Sequence, residues 1–201
     1  MIFTLMALKG GEGKTTIALN LADQYTQQGF NVCLVDADQS QNSFDFLYHK
    51  ENKIFDFVKY ENIEQVKKLD EKYDLVIIDN SNRINNLLDE IIDLSNFIII
   101  PTKLSFLSNF TLQDLIKKIY SRGKEKQTGI LFTFFRYNKG KDKEIYEEQF
   151  KKLAPDFHIF KQKISLSSQY ENSINQLKTL REIKSNKVAE IQLLIQEIDE
   201  I

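Results

Sequence analysis

The sequence predicts an α/β fold with three layers, in which a mostly parallel sheet is covered by helices on both faces. Short apolar runs alternate with longer amphipathic runs along the whole chain. The apolar runs are continuous, which is typical of parallel strands that are buried on both faces. Strands that alternate with helices also favour a parallel sheet, because a helix supplies the crossover between two parallel strands.

Five apolar runs predict strands, and a weaker run predicts a sixth. The strong runs are Ile2–Leu8, Asn31–Val35, Leu75–Ile78, Phe97–Ile100 and Ile130–Phe135, and the weak run is Phe157–Phe160. Helical periodicity predicts helices over Lys14–Gln28, Gln41–His49, Ile63–Leu69, Leu87–Leu94, Leu107–Tyr120, Asp142–Leu153 and Lys187–Ile198. Gly29 is expected to end the first helix, and Pro101 is expected to stop the fourth strand.

Length and composition predict one domain over residues 1–201. The chain has 201 residues, only 2 prolines and no glycine- or serine-rich linker, so one large core is expected. No charged leader and no apolar run long enough to cross a bilayer is found, which predicts a cytoplasmic protein. Cys33 is the single cysteine, which excludes an intramolecular disulfide, and its apolar surroundings predict a buried strand residue.

A loop rich in glycine and lysine joins the first predicted strand to the first predicted helix. Its sequence is Lys9-Gly10-Gly11-Glu12-Gly13-Lys14-Thr15-Thr16. Glycines let the backbone approach a phosphate closely, and the helix N-terminus adds partial positive charge. In such a loop Lys14 would reach the β- and γ-phosphates of a nucleotide, and the Thr15 hydroxyl would bind Mg²⁺. The loop therefore predicts a phosphate-binding site.

Carboxylates follow two of the apolar runs. Asp36 and Asp38 end the second run at positions i and i+2, so in an extended segment they point the same way. Asp79 ends the third run. In a parallel sheet these strand ends and the loop meet at one edge, and Mg²⁺ prefers oxygen ligands. Asp79 is thus the candidate for supporting a magnesium ion together with Thr15.

The loop resembles the deviant Walker A motif, K-G-G-x-x-K-[ST], of the ParA/MinD family of ATPases. The resemblance implies a P-loop NTPase fold, ATP and Mg²⁺ as cofactors, and hydrolysis of ATP to ADP and phosphate. It also implies that Lys9 reaches across a homodimer to the partner's nucleotide, in an assembly that sandwiches two ATP molecules. By the same resemblance Asp38 would orient the attacking water and Asp36 would support the magnesium shell.

The sequence departs from the family pattern in two loops. Gln39-Ser40-Gln41 stands where the family commonly has Pro-Gln, and Asn80-Ser81-Asn82 replaces a turn that contains proline. These loops respond to the γ-phosphate in the family, so the departures bear on hydrolysis and not on nucleotide binding. Thr133 and Arg136 lie where the family strand contacts adenine.

The resemblance is strongest to short ParA-type partition ATPases, which have no DNA-reading domain before the loop. Such proteins associate with the nucleoid, bind DNA non-specifically as ATP dimers, and hydrolyse ATP slowly until a ParB-like centromere-binding adaptor stimulates them. The chain has a net charge of −2, but residues 121–187 carry 15 Lys/Arg against 8 Asp/Glu. The candidate DNA contacts in this stretch are Lys161, Lys163, Lys178, Arg181, Lys184 and Lys187. The same charges also fit ordinary solvated helix faces.

Two other functions are compatible with the same kind of ATPase domain. A ParA-like ATPase that positions a protein cluster or a mobile element has the same sequence features, because only its adaptor differs. A MinD-like ATPase that cycles on membranes needs a basic amphipathic helix. Residues 188–201 contain no Lys or Arg and four acids, so no membrane partner is expected.

Overall fold

The computed structural model describes residues 1–37, 54–80, 86–103, 106–135, 148–176 and 178–201. The strands are β1 (Ile2–Leu5), β2 (Val32–Ala37), β3 (Asp56–Lys59), β4 (Leu75–Asn80), β5 (Phe97–Lys103), β6 (Thr128–Thr133) and β7 (His158–Ile159). The helices are α1 (Lys14–Gln27), α2 (Ile63–Lys72), α3 (Asn86–Leu94), α4 (Phe106–Ser121), α5 (Ser168–Asn175) and α6 (Val188–Asp199). Residues 148–153 are also helical.

Several predicted features lie outside the described residues. They are Asp38, the predicted helix Gln41–His49, the first half of the predicted helix Asp142–Leu153, and Arg136. The loops that depart from the family pattern, except for Asn80, are also outside them.

The seven strands form one parallel sheet in the order β3-β2-β4-β1-β5-β6-β7. Strand β1 lies at its centre, where Leu5 pairs with Asp79 of β4 on one side and with Ile99 of β5 on the other. Next to β4, Asp36 of β2 pairs with Asp79. The register therefore brings both described carboxylates to the edge of the sheet from which the glycine loop leaves β1.

Helices cover both faces of the sheet and create two hydrophobic cores. Alternate residues of each strand enter opposite cores, so Leu5 packs with α1 and α6, whereas Met6 packs with α3 and α4. This arrangement explains the continuous apolar runs, because each strand needs apolar side chains in both directions. The predicted three-layer α/β fold is confirmed.

Strand β5 differs from the prediction, because it continues through Pro101 to Lys103. The Met6 N–H donates to the Ile99 carbonyl at 2.9 Å, so the backbone of Ile99 faces β1. Pro101 lies two residues further along β5, so its backbone nitrogen faces the same side as Ile99. The pairing with β1 has already ended there, at Leu5, and the N–H that proline lacks has no partner to lose. Proline costs no ladder hydrogen bond there, and the strand can extend.

Other elements also differ from the prediction. The edge strand β3 and the short helix α5 were not predicted. Strand β6 begins two residues before its predicted start, and β1 ends at Leu5 instead of Leu8. Among the described helices, none is long and apolar enough to cross a membrane.

Candidate functional site

The glycine loop occupies the turn between β1 and α1. Gly11 and Gly13 have φ angles of 75° and 95°, in the left-handed region that L-residues rarely adopt. A Cβ atom at Gly13 would lie 3.3 Å from the ring of Phe134. Both glycines are therefore required by the backbone of the loop, and Gly13 also by the ring beside it.

Helix α1 begins at Lys14 without a side-chain cap. Its N-cap is Gly13, which offers no hydrogen-bonding side chain, and its first turn contains no acidic residue. The N–H groups at a helix N-terminus attract anions, and the helix dipole adds to this attraction. The N-terminus of α1 is thus suited to bind a phosphate at the position where other helices have a capping side chain.

Thr15 and Asp79 meet beside the loop. The Thr15 hydroxyl donates to Asp79 Oδ2 at 2.6 Å, and Asp79 is 1% exposed. Asp36 is also buried, and its Cα is the register partner of Asp79. A hydroxyl with nearby carboxylates is the set of oxygen donors that Mg²⁺ prefers.

Magnesium needs few protein ligands, since it keeps several waters and takes substrate phosphates. In the described ranges no group of three or more His, Cys, Asp or Glu could hold a metal. Thr15, Asp36 and Asp79 therefore fit a magnesium ion that arrives with a nucleotide. They do not form a closed metal cage.

The two lysines of the loop differ in exposure. Lys14 is buried, with 7% exposure, as expected of a residue that lines a phosphate site. The Lys9 side chain is 39% exposed, and its ammonium lies 3.9 Å from Glu12 Oε1. One lysine therefore lies inside the loop, while the other is near the protein surface.

Glu12 attaches the loop to the neighbouring strands. Its Oε2 accepts the Lys103 N–H at 2.5 Å, at the end of β5. Its backbone carbonyl accepts the Thr133 hydroxyl at 2.9 Å, at the end of β6. The Thr133 hydroxyl, predicted to lie near adenine, thus bonds to the loop in this structure.

Sequence reasoning missed two residues beside the loop, Lys103 and Phe134. The Lys103 ammonium lies 4.8 Å from the centre of the Phe134 ring and 3.7 Å from the position of a Cβ on Gly11. Phe134 has a φ angle of 52°, which is rare for a bulky residue and often marks a functional site. Lys103 was missed because the strand was expected to stop at Pro101. Phe134 was missed because no sequence pattern indicates its positive φ angle.

The candidate DNA-contacting residues have different surroundings. Lys161, Lys178 and Lys184 are exposed. Lys163 is only 6% exposed, and its ammonium lies 5.3 Å from the centre of the Phe135 ring. The structure therefore differs from the prediction at Lys163, because a buried ammonium is not placed to contact a DNA phosphate.

Arg181 and Lys187 hold the C-terminal segment in place. Arg181 donates to Asp23 Oδ1 from Nε at 3.0 Å and from Nη2 at 2.9 Å, and Asp23 is fully buried in α1. Lys187 donates to Glu190 at 2.7 Å. Burial alone would raise the pKa of Glu190, but hydrogen bonds, including the one from Lys187, hold that pKa below its ordinary value. Both cations therefore have carboxylate partners in the fold.

Replacing Arg181 with alanine should destabilise the fold, because it leaves the buried Asp23 carboxylate without its guanidinium. A broken buried pair costs about 3–5 kcal/mol, and the 39% exposure of Arg181 reduces our expectation to about 2 kcal/mol. Urea unfolding of Arg181→Ala measures the loss, and the exposed Lys184→Ala is the matched control. Equal midpoints for the two variants would show that the Arg181–Asp23 pair does not anchor this segment.

The fold and the site define a P-loop nucleotide-binding protein. A glycine loop leads from the central strand into α1, and Thr15 contacts the carboxylate at the end of the adjacent strand. The chain belongs to the CobQ/CobB/MinD/ParA nucleotide binding domain family, which it matches over residues 3–180. The resemblance to ParA/MinD proteins is thereby confirmed.

Solved structures share the fold at low sequence identity. McdA of Cyanothece superposes with a TM-score of 0.78 at 20% identity, covering 94% of this chain and 95% of McdA. The MinD cell division protein of Aquifex aeolicus gives a TM-score of 0.78 at 14% identity, covering 100% of this chain and 97% of MinD. A plasmid partition protein of Borrelia burgdorferi gives 0.70 at 18% identity, covering 100% and 98%.

An uncharacterized protein of Methanocaldococcus jannaschii is similar in sequence. It is 25% identical over 216 residues, which cover 79% of this chain and 82% of the relative.

Proposed function

We propose that this chain is a single-domain, magnesium-dependent ATPase that partitions DNA. The observation that carries the proposal is the meeting of the glycine loop, Lys14 and the Thr15–Asp79 contact at one edge of the sheet. A structure of Cyanothece McdA in complex with ATP superposes on this chain with a TM-score of 0.77 at 20% identity. The Borrelia neighbour is a plasmid partition protein, which supports the DNA cargo.

The loop and the carboxylates at the neighbouring strand ends would each have a role in ATP hydrolysis. The N–H groups of residues 10–16 and the Lys14 ammonium would bind the phosphates, and Thr15, Asp36 and Asp79 would hold Mg²⁺. When bound, the ion would supply positive charge that compensates the charge on the phosphates. Asp38 would orient a water for in-line attack on the γ-phosphorus, and the bond to the ADP oxygen breaks as the new P–O bond forms.

A homodimer would complete the site through Lys9. Its partly exposed side chain lies at the outer side of the loop, where the nucleotide of a second subunit would approach. A cation supplied by the partner stabilises the charge that develops during phosphoryl transfer. In this proposal ATP joins two subunits, and hydrolysis separates them.

The ATP dimer would bind DNA without reading its sequence. Lys161, Lys178 and Lys184 are exposed, and none forms an ion pair with a carboxylate in the parts of the chain that the structure describes. Lysine contacts to phosphates give affinity that depends on salt and not on base sequence. A ParB-like adaptor bound at a centromere would then stimulate hydrolysis and release the DNA.

Replacing Lys178 and Lys184 together with glutamate should weaken ATP-dependent DNA binding. The slope of log affinity against log salt is negative, and each lost phosphate contact makes it shallower by about 0.9. DNA co-sedimentation with ATP over a range of salt measures this slope. The control, Lys67→Glu with Lys68→Glu, makes the same charge change on exposed residues of α2.

The variant and the control should have the same ATPase rate without DNA. Equal DNA affinity of the two double variants would move the DNA contact to another surface. Binding that is the same with and without ATP would contradict the proposed cycle.

Membrane cycling of the MinD type is a less suitable function for this chain. The apolar face of α6 packs against α1 and is already buried through Ile191, Leu194, Ile195 and Ile198. Its last turn has no basic residue. We expect no ATP-dependent co-sedimentation with anionic liposomes, whereas DNA should co-sediment.

Another cargo, such as a protein cluster or mobile element, would use the same ATPase steps. McdA and MinD share the fold of this chain, and MinD is a cell division protein rather than a plasmid partition protein. The adaptor decides the cargo, so stimulation of the ATPase by a candidate centromere-bound adaptor tests the partition role.

A further inference from the structure

Glu12 places a buried carboxylate within a loop that is built for phosphate. Its side chain is 3% exposed, and its two oxygens have different neighbours. Oε2 accepts the Lys103 N–H, and Oε1 lies 3.9 Å from the Lys9 ammonium. A buried negative charge beside an incoming polyphosphate is unfavourable unless a cation compensates it. Lys9 supplies such a cation from the same subunit.

The two contacts have separable effects. The contact of Oε2 is a hydrogen bond to the backbone, and it needs an oxygen acceptor but no charge. The contact of Oε1 with Lys9 is an ion pair, and it needs the charge. A change from Glu12 to glutamine can therefore remove the ion pair while it keeps an acceptor for the Lys103 N–H.

We propose that Glu12 is a positioning residue, which holds Lys9 against its own loop until the nucleotide of a second subunit draws it away. This inference rests on the proposed role of Lys9 in an ATP dimer. In the proposed dimer the Lys9 side chain turns outward to the partner's phosphates, and its ammonium then leaves the buried Glu12 carboxylate of its own subunit. Formation of the dimer then has to break the Glu12–Lys9 pair in each subunit.

The Glu12–Lys9 pair therefore opposes dimerisation and raises the protein concentration at which half of the chains are dimeric. Because Lys9 is 39% exposed, solvent screens the ion pair, and its effect is modest. We expect Glu12→Gln to lower the protein concentration for half-dimerisation about fivefold. ATP hydrolysis per subunit should rise most at low protein concentration, with little change in KM for ATP.

A comparison of four proteins tests this inference. Sedimentation velocity with a non-hydrolysable ATP analogue and Mg²⁺ compares the wild type, Glu12→Gln, Lys9→Ala and the variant with both changes. We expect Glu12→Gln to dimerise at a lower protein concentration than the wild type, and both variants without Lys9 to stay monomeric. No gain in Glu12→Gln would overturn the proposal, and so would a dimer formed by the variant with both changes, because Glu12 would then act on dimerisation without Lys9.

A second measurement does not depend on dimerisation. Acylation of lysine amines in the nucleotide-free protein, followed by mass spectrometry, reports how firmly Lys9 is held. Lys9 should react about twofold faster in Glu12→Gln than in the wild type, because one pair is released in each chain, while the exposed Lys68 reacts equally in both. Equal rates at Lys9 would overturn the inference. A wild type that never dimerises would instead refute the proposed ATP dimer and leave the labelling test valid.

Discussion

Replacing Lys14 with alanine should abolish ATP binding. Lys14 begins α1, directly after the left-handed Gly13, and it is buried beside the phosphate site. Truncating a charge that binds a buried opposite charge reduces affinity by about a hundredfold or more. Equilibrium titration with a fluorescent ATP analogue measures this loss. Retained micromolar affinity would refute the assignment of this loop as the phosphate site.

Lys9→Ala is the matched control for Lys14→Ala. Both variants remove one ammonium from the same loop, but the Lys9 side chain is 39% exposed and lies at its outer side. We expect the Lys9 variant to bind ATP as a monomer with affinity near that of the wild type, and to lose dimerisation and turnover. The same loss of ATP affinity in both variants would mean that Lys9 acts within its own subunit.

Replacing Asp38 with alanine should give a protein that binds ATP but does not turn it over. In the sequence Asp38 comes directly after β2 and two residues after Asp36, and it is outside the described residues. A side chain that orients the attacking water contributes about a hundredfold or more to the rate. We therefore expect at least this loss in the steady-state ATPase rate, with ATP dimers that persist.

Asp38→Asn separates charge from shape at the same position. If the carboxylate acts on the water, asparagine should be about as inactive as alanine, because it accepts a proton poorly. Normal turnover in Asp38→Ala would assign the water-orienting role to another residue. Normal turnover in Asp38→Asn alone would show that the side chain orients the water without its charge.

The site was predictable wherever local sequence decides the backbone. The loop at residues 9–16 and the strand end at Asp79 could be recognised because the order of strand, glycine turn and helix is local. The Thr15–Asp79 contact follows from two adjacent parallel strands. Pro101 was misleading, because its effect depends on how far the neighbouring strand β1 extends, which sequence does not reveal.

A count of charges over residues 121–187 does not show which of the cations are free to contact a ligand. Arg181 pairs with Asp23, which lies 158 residues earlier, and Lys163 packs near Phe135. Sequence composition adds these cations to a net positive charge, but only the fold shows which of them have partners. Exposed Lys178 and Lys184 are therefore better probes of DNA binding than Arg181.

The most direct test of the account is the mass of the protein in the two nucleotide states. Sedimentation velocity should give one chain with Mg²⁺ and ADP, and two chains with Mg²⁺ and a non-hydrolysable ATP analogue. The Lys14→Ala variant should remain a single chain in both conditions. A wild-type mass that is the same with ADP and with the analogue would contradict the claim that ATP joins two subunits through this loop.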